Sequence, residues 1–295
     1  MRNPITNEYI PQEWEKVNCP VCNSNSYAEY EKFGSNLQYT YVKCRNCSLV
    51  YTNPRPKYNQ DFIDSCYSSY YQYTANITGD LDSIPQSSLQ MFKEEVEYIS
   101  KYDRHKKSVL DIGSGMGTFL LAAKKYYSVY IGLDVSEQMA AFVEKNIGAK
   151  VYIEQFDTFQ HEPFSLIHMS HVIEHIPNPN DWIAHANKLL IKDGILVINV
   201  PNKFALSSRI QYLFYKLKLK KQVSSSWNDP TKTPDHLYEP TIESFKLLLL
   251  KSNFEIIEYY TYSRKDPTSS KNIFSRFMNR FLHLGTNITF ITRKK

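Results

Sequence analysis

Glycine is scarce in this chain, nine in 295 residues, yet Gly113, Gly115 and Gly117 fall within five positions. They follow the apolar run Val109-Leu110-Asp111-Ile112 and precede a helix-like stretch, Thr118–Tyr126. A glycine-rich turn between a strand and a helix lets the backbone double back tightly and approach a ligand closely. The spacing is G-x-G-x-G, because Thr118 stands where a dinucleotide fingerprint would place its third glycine.

The same strand–helix alternation continues downstream. Apolar runs at 129–134, 150–153, 164–169, 195–200, 254–260 and 287–292 add six strands to the first, 109–112. Helical patterns fill 87–102, 118–126, 137–146, 181–191 (stopped by Gly194) and 241–251. The expected fold is α/β: a doubly wound, seven-stranded, mostly parallel sheet with helices on both faces. Three units follow. Residues 1–58 end at the stiff Asn53-Pro54-Arg55-Pro56. Residues 59–104, with Tyr67, Tyr70, Tyr71 and Tyr73, read as a linker or cover segment with a helix. Residues 105–295 hold the sheet, interrupted by an insertion at 203–234.

Four of the five cysteines form two C-x-x-C pairs, Cys19/Cys22 and Cys44/Cys47, and the fifth, Cys66, reads as packing. Two such pairs about twenty residues apart suit a four-thiolate structural zinc site, which staples a unit too small to build its own core. Asn23 and Ser48 stand after each pair, where a left-handed backbone and glycine are common. Composition is ordinary for a soluble globular chain, 42% hydrophobic and 22% charged. Neither a signal-peptide core nor an apolar run of membrane-spanning length is visible, so the expected location is the cytoplasm. Six basic and no acidic residues lie between Lys203 and Lys221; the remaining 29 basic and 30 acidic residues almost cancel. The positive charge is therefore local, which argues against a uniformly basic nucleic-acid coat.

With Asp111-Ile112-Gly113-Ser114-Gly115-Met116-Gly117 and Asp134, the chain resembles the class I S-adenosylmethionine (SAM)-dependent methyltransferases over about 105–295. Their first motif is D-x-G-x-G-x-G, with an acidic residue closing the second strand. Later blocks match in order: His171-Val172-Ile173-Glu174-His175-Ile176-Pro177, Leu189-Leu190 with Lys192-Asp193-Gly194, Val200-Pro201-Asn202, Asp235-His236-Leu237-Tyr238 and Asn253-Phe254. The resemblance implies a Rossmann-like methyltransferase in which residues 59–104 cover the cofactor site. Asp111, Gly113, Gly115 and Gly117 would line the cofactor, Asp134 would hold the ribose hydroxyls, Gln155 and Phe156 would flank the adenine, and Ser170 would sit near the methionine amino group. The block from Cys44 to Pro56 resembles the N-terminal zinc-binding domain of methyltransferases in bacterial sugar, surface-glycan and antibiotic-sugar pathways. The implied substrate is a sugar or nucleotide-sugar intermediate. Alternatives are an RNA methyltransferase that holds RNA with ribbon and basic helix, or a non-catalytic cofactor-binding scaffold. Oligomeric state is not fixed.

Methyl transfer needs an aligned nucleophile and a group that takes its proton, and histidine suits neutral pH. His171, Glu174 and His175 follow the fourth strand at i, i+3 and i+4, and His236 can return over the same mouth. Three readings stand for these four residues: general base or substrate orientation, structural hydrogen bonding, or a second, divalent metal site. His168, inside the fourth strand, reads as packed. His105, His161, His185 and His283 read as loop or helix-surface residues. The basic stretch 203–221 reads as a solvated lid helix, a cap that attracts a phosphate-bearing substrate, or a membrane-surface helix.

Overall fold

The computed structural model describes residues 11–33, 38–64, 79–205, 210, 236–262 and 285–295. Cys66, the tyrosines at 67–73, His283 and the insertion beyond residue 205 (Ile210 apart) lie outside the described residues.

The N-terminal part is all β. β1 (Trp14–Glu15) is followed by β2 (Tyr27–Phe33), β3 (Tyr39–Cys44), β4 (Val50–Thr52) and β5 (Arg55–Pro56). β1 pairs with β5, and β2, β3 and β4 form an antiparallel sheet. The larger part runs α1 (Gln86–Ile99), β6 (Ser108–Ile112), α2 (Thr118–Ala123), β7 (Val129–Leu133), α3 (Glu137–Ile147), β8 (Lys150–Tyr152), β9 (Phe164–Ser170), α4 (Pro179–Lys188) and β10 (Leu190–Pro201). It closes with β11 (Tyr238–Glu239), α5 (Ile242–Lys251), β12 (Phe254–Tyr262) and β13 (Asn287–Lys294).

Seven of these strands form one sheet in the order β8-β7-β6-β9-β10-β13-β12, and β13 is its antiparallel member. The expected doubly wound, mostly parallel sheet is thus present. Its central strands are buried on both faces: Val109, Leu110 and Ile112 on β6, Phe164 to Met169 on β9, Ile195 to Val200 on β10. Near-continuous apolar runs of this kind are what a parallel sheet covered by helices requires. Caps set the helix ends. Ser136 Oγ accepts from Met139 N at the start of α3, and Gly148 (φ 75°) closes it.

One expected boundary moves. α4 spans Pro179–Lys188 rather than 181–191, and Gly194 does not cap it. Pro179 pre-sets the first helical turn. At the other end Leu190 pairs with Phe164 in the sheet, and the chain then bulges before Ile195, with Asp193 at φ 61°. Sheet pairing has pulled residues 190–194 out of the helix.

A second feature crosses the expected boundary at residue 58. β11 pairs antiparallel with β4, so a strand from the C-terminal half completes the N-terminal sheet. Among the described residues no helix is long and apolar enough to cross a membrane.

Candidate functional site

The glycine loop turns at the carboxyl end of β6. Gly113 (φ 71°) donates its N–H to Leu133 O, and a Cβ there would lie 2.5 Å from Val172 Cγ2. Gly115 (φ 49°) differs, since among the described residues a Cβ would meet nothing within 4 Å. Its backbone opens onto free space, which is the geometry of a cradle. Gly117 N-caps α2. Asp134, directly after β7, is buried, and its two oxygens accept from Gly115 N (2.8 Å) and Ser136 N (2.9 Å). Asp134 is thereby fixed against the cradle.

Other expected cofactor residues are placed unevenly around this loop. Ser170 ends β9, and its Oγ is buried without a hydrogen-bond partner among the described residues. Gln155 is exposed. Phe156 is buried, with its ring against Trp182 and His185 at 5.1 and 5.0 Å. Asp111 is buried in the sheet, where its Oδ1 accepts from His168 Nδ1 at 2.7 Å. Two apolar side chains that motif reading passed over, Val135 and Ile153, are 43% and 51% exposed at the carboxyl ends of β7 and β8. Exposed aliphatic residues there suit a flat, weakly polar ring beside Asp134. Their signal was their place just after a strand, which a motif search does not weigh.

His168 is packed, as expected, but it also belongs to a buried polar group. Its ring stacks on Phe119 at 3.8 Å, and Asn199 Nδ2 lies 3.2 Å from Nε2 and donates to Glu95 Oε1 at 2.6 Å. Thr289 Oγ1 donates to Asn199 Oδ1 at 2.6 Å. Of the other histidines, His161 stacks on Phe164 and His185 Nε2 meets Phe159 O at 2.9 Å, both packing roles.

The second cluster sits beyond β9. His171 (φ 55°) is anchored by its N–H to Asn199 O, and Ile173–His175 forms a single 3-10 turn. His171 Nδ1 is 3.3 Å from Glu174 Oε1. Glu174 is fully buried, and neither of its oxygens has a hydrogen bond of good geometry among the described residues. Burial alone would raise its pKa. The His171 interaction and the charges of His175, His171 and His236 instead hold it down to about 2. His236 arrives from the far side of the insertion and packs edge-to-face on His175, with ring centroids 4.9 Å apart. Glu174, His175 and His236 each offer one ligand atom, all within 4.8 Å of one another. The structure therefore brings three of the four expected mouth residues to one point, with His171 against Glu174 beside them.

The four N-terminal cysteines also converge. Cys19 and Cys47 sulfurs are 3.4 Å apart, Cys22 and Cys44 sulfurs 3.5 Å, and all four lie within 4.8 Å of one another. A tetrahedral zinc with Zn–S bonds of about 2.3 Å has S···S edges of about 3.8 Å, so the donor set and its spacing fit. The neighbouring Cys47 thiol and burial push the Cys19 thiol up. Asn23 (φ 59°) and Ser48 (φ 64°) hold the left-handed turns expected after each pair. Lys203 departs from the solvated helix expected of 203–221. It is buried, with its Nζ 3.8 Å from the Tyr41 ring centroid and 3.7 Å from Glu31 Oε2, and burial lowers its pKa.

Residues 88–259 match the family described as "Methyltransferase domain". An uncharacterized protein of Methanocaldococcus jannaschii is 29% identical over 141 residues, 47% of this chain and 63% of that one. A ubiquinone biosynthesis O-methyltransferase of Glaesserella parasuis is 31% identical over 111 residues, 34% of this chain and 47% of that one. The chain thus spans about half to three fifths of these curated relatives. Among solved structures, magnesium protoporphyrin IX methyltransferase of Synechocystis with bound SAH superposes with a TM-score of 0.54 at 13% identity, covering 80% of this chain and 100% of that one. That likeness is one of fold.

Proposed function

The chain belongs to the methyltransferase-domain family, whose SAM-dependent sheet it carries; on that premise we propose that it methylates a small molecule, a sugar or nucleotide-linked sugar, with histidine assistance at the mouth of β9. The observation that carries this reading is the convergence of Glu174, His175 and His236 beyond β9, on the carboxyl side of the sheet that also holds the glycine cradle. SAM, when bound, would supply a sulfonium methyl group that the acceptor attacks in line while the thioether, S-adenosylhomocysteine, leaves with the S–CH3 electron pair. The residues that fit it are the open backbone at Gly115, the carboxylate of Asp134, the unpartnered Ser170 Oγ, and the exposed Val135 and Ile153. His175 and His236 would orient the acceptor and take the proton it gives up. Glu174 would hold those imidazoles in their orientation and stabilise them once charged. The sugar class rests on the likeness of residues 44–56 to the zinc-binding domain of sugar-pathway methyltransferases, and zinc on Cys19, Cys22, Cys44 and Cys47 would be structural.

A second reading has its own observation. A buried carboxylate without a good hydrogen bond, flanked by two imidazoles, is also a donor set for a divalent cation through Glu174, His175 and His236. Metal analysis of the purified protein tests it: zinc at one equivalent excludes it, and a second, exchangeable metal lost in Glu174→Gln supports it.

The main reading is tested with methyl-labelled SAM and a cell extract separated into small metabolites and total RNA. Label is expected in an anionic small-molecule fraction. Label in RNA would overturn the substrate class, and cofactor binding without label anywhere would make the chain a scaffold.

A further inference from the structure

The ribbon's sheet is finished by a strand that reaches it from the catalytic half. In β11, Tyr238 pairs with Tyr51 and Glu239 with Val50. Thr52 N–H donates to Leu237 O at 3.1 Å. On its other side the same segment is tied to the turn that carries the mouth residues. Leu237 N–H donates to Glu174 O at 2.9 Å, and the Tyr238 hydroxyl donates to Ile173 O. Residues 237–239 thus stitch the ribbon to the turn of Glu174 and His175, and His236 is the residue just before the stitch.

Glu239 is 1% exposed and looks two ways. Its Oε1 is 3.6 Å from His236 Nδ1, an ion-pair distance at i, i+3, and accepts from the Tyr41 hydroxyl of β3 at 3.3 Å. Lys203, over the Tyr41 ring, adds a positive charge that acts on the same carboxylate. A buried carboxylate persists only where donors and cations compensate it. Here they come from the ribbon (Tyr41), from the start of the insertion (Lys203) and from the mouth (His236).

We propose that Glu239 is a positioning residue for His236 and that the ribbon, through Tyr41 and β4, holds it there, so that the ribbon is part of the methyl-transfer site's architecture. At 3.6 Å the contact is electrostatic rather than a hydrogen bond, and a buried carboxylate beside Nδ1 favours the tautomer with its proton there and its lone pair on Nε2. That is the nitrogen left to accept a proton or bind a cation. The proposal rests on His236 belonging to the site and holds under either reading of the mouth. It also gives the cysteine cluster a stake in catalysis. Cys44 ends β3 and Cys47 precedes β4, so the four-thiolate centre fixes the turn between the strand that presents Tyr41 and the strand that recruits β11.

The test uses the zinc-loaded 295-residue chain and reads the His236 tautomer by ¹⁵N-histidine NMR. In parallel, transfer of labelled methyl into the small-metabolite fraction is followed as a function of SAM concentration. Wild-type His236 is expected with its proton on Nδ1. Glu239→Gln should lose that preference and lower the apparent kcat by about 10²-fold with KM for SAM unchanged. Glu239→Asp should recover part of both. Tyr41→Phe, which keeps the carboxylate, should shift the tautomer in the same direction with a several-fold loss of rate. A His236 tautomer unmoved in Glu239→Gln, or in Tyr41→Phe should the first variant not fold, overturns the proposal. A His236→Ala variant with wild-type transfer would instead remove His236 from the chemistry. The tautomer result would be unaffected, so the two failures are separable.

Discussion

Among the described residues, an imidazole–carboxylate cluster inside the sheet and another at its carboxyl edge are built on opposite principles. In the interior, Asp111 accepts a hydrogen bond from His168 Nδ1, Asn199 donates to Glu95, and Thr289 donates to Asn199. Phe119 covers the ring. At the edge, Glu174 is equally buried, yet its oxygens lack a hydrogen bond of good geometry and it faces three imidazoles. Full satisfaction locks a polar group into the fold, whereas an unsatisfied buried carboxylate is kept only where something else uses it. Residue type and carboxylate burial do not separate these clusters; the edge imidazoles are half-buried where His168 is buried, and hydrogen-bond completeness differs with them.

If the comparison is right, the two clusters respond to mutation in different quantities. The largest effect belongs to the edge. His175→Ala and His236→Ala are each expected to lower methyl transfer by about 10²- to 10⁴-fold, the range of a lost proton-transfer group, while SAM binding by calorimetry stays near wild type. Wild-type turnover in both variants would make the edge cluster structural and erase the contrast.

His168→Ala should do the reverse. It removes the donor to Asp111 and leaves two carboxylates, Asp111 and Glu95, in the core without their shared partner. Breaking a buried pair in this way costs about 3–5 kcal/mol, read as a lower urea midpoint at pH 7. Unchanged stability would mean that the interior cluster is as slack as the edge one.

Much of this was legible in the sequence where local chemistry and long-range packing agree. The G-x-G-x-G turn, the alternation of apolar runs and the C-x-x-C spacing each fix a piece of geometry over a few residues, and the sheet and the cysteine cluster follow. The start of α4 was missed because Pro179 can open a helix as readily as break one, and its end because Leu190 pairs with Phe164 across the sheet. The pairing of β11 with β4 was illegible for a related reason. Two residues, Tyr238 and Glu239, carry no periodicity, and their partners lie nearly two hundred positions away. Lys203 reads as one of six surface cations, and only the fold reveals Tyr41 and Glu31 beneath it. At the candidate site, the nearness of His171, Glu174 and His175 was legible from their spacing after the fourth strand, and that of His236 from its place before the last helix. The tie between Asp111 and His168 was not, because register across β6 and β9 sets which strand residues face each other.

The smallest effect is also the sharpest test of what completeness means. Thr289 Oγ1 donates to Asn199 Oδ1 at the rim of the interior network, two strands from His168. Thr289→Val keeps the shape and deletes that donor, so Asn199 loses its acceptor's partner while Glu95, His168 and Asp111 keep theirs. An orphaned buried acceptor costs about 1–3 kcal/mol, which a urea titration resolves. Methyl transfer should be unaltered, because among the described residues Thr289 bonds to Asn199 in the sheet interior rather than to Glu174, His175 or His236. If instead the variant loses turnover without losing stability, the interior cluster transmits to the loop that Asp111 begins, and the two clusters would be one device rather than two.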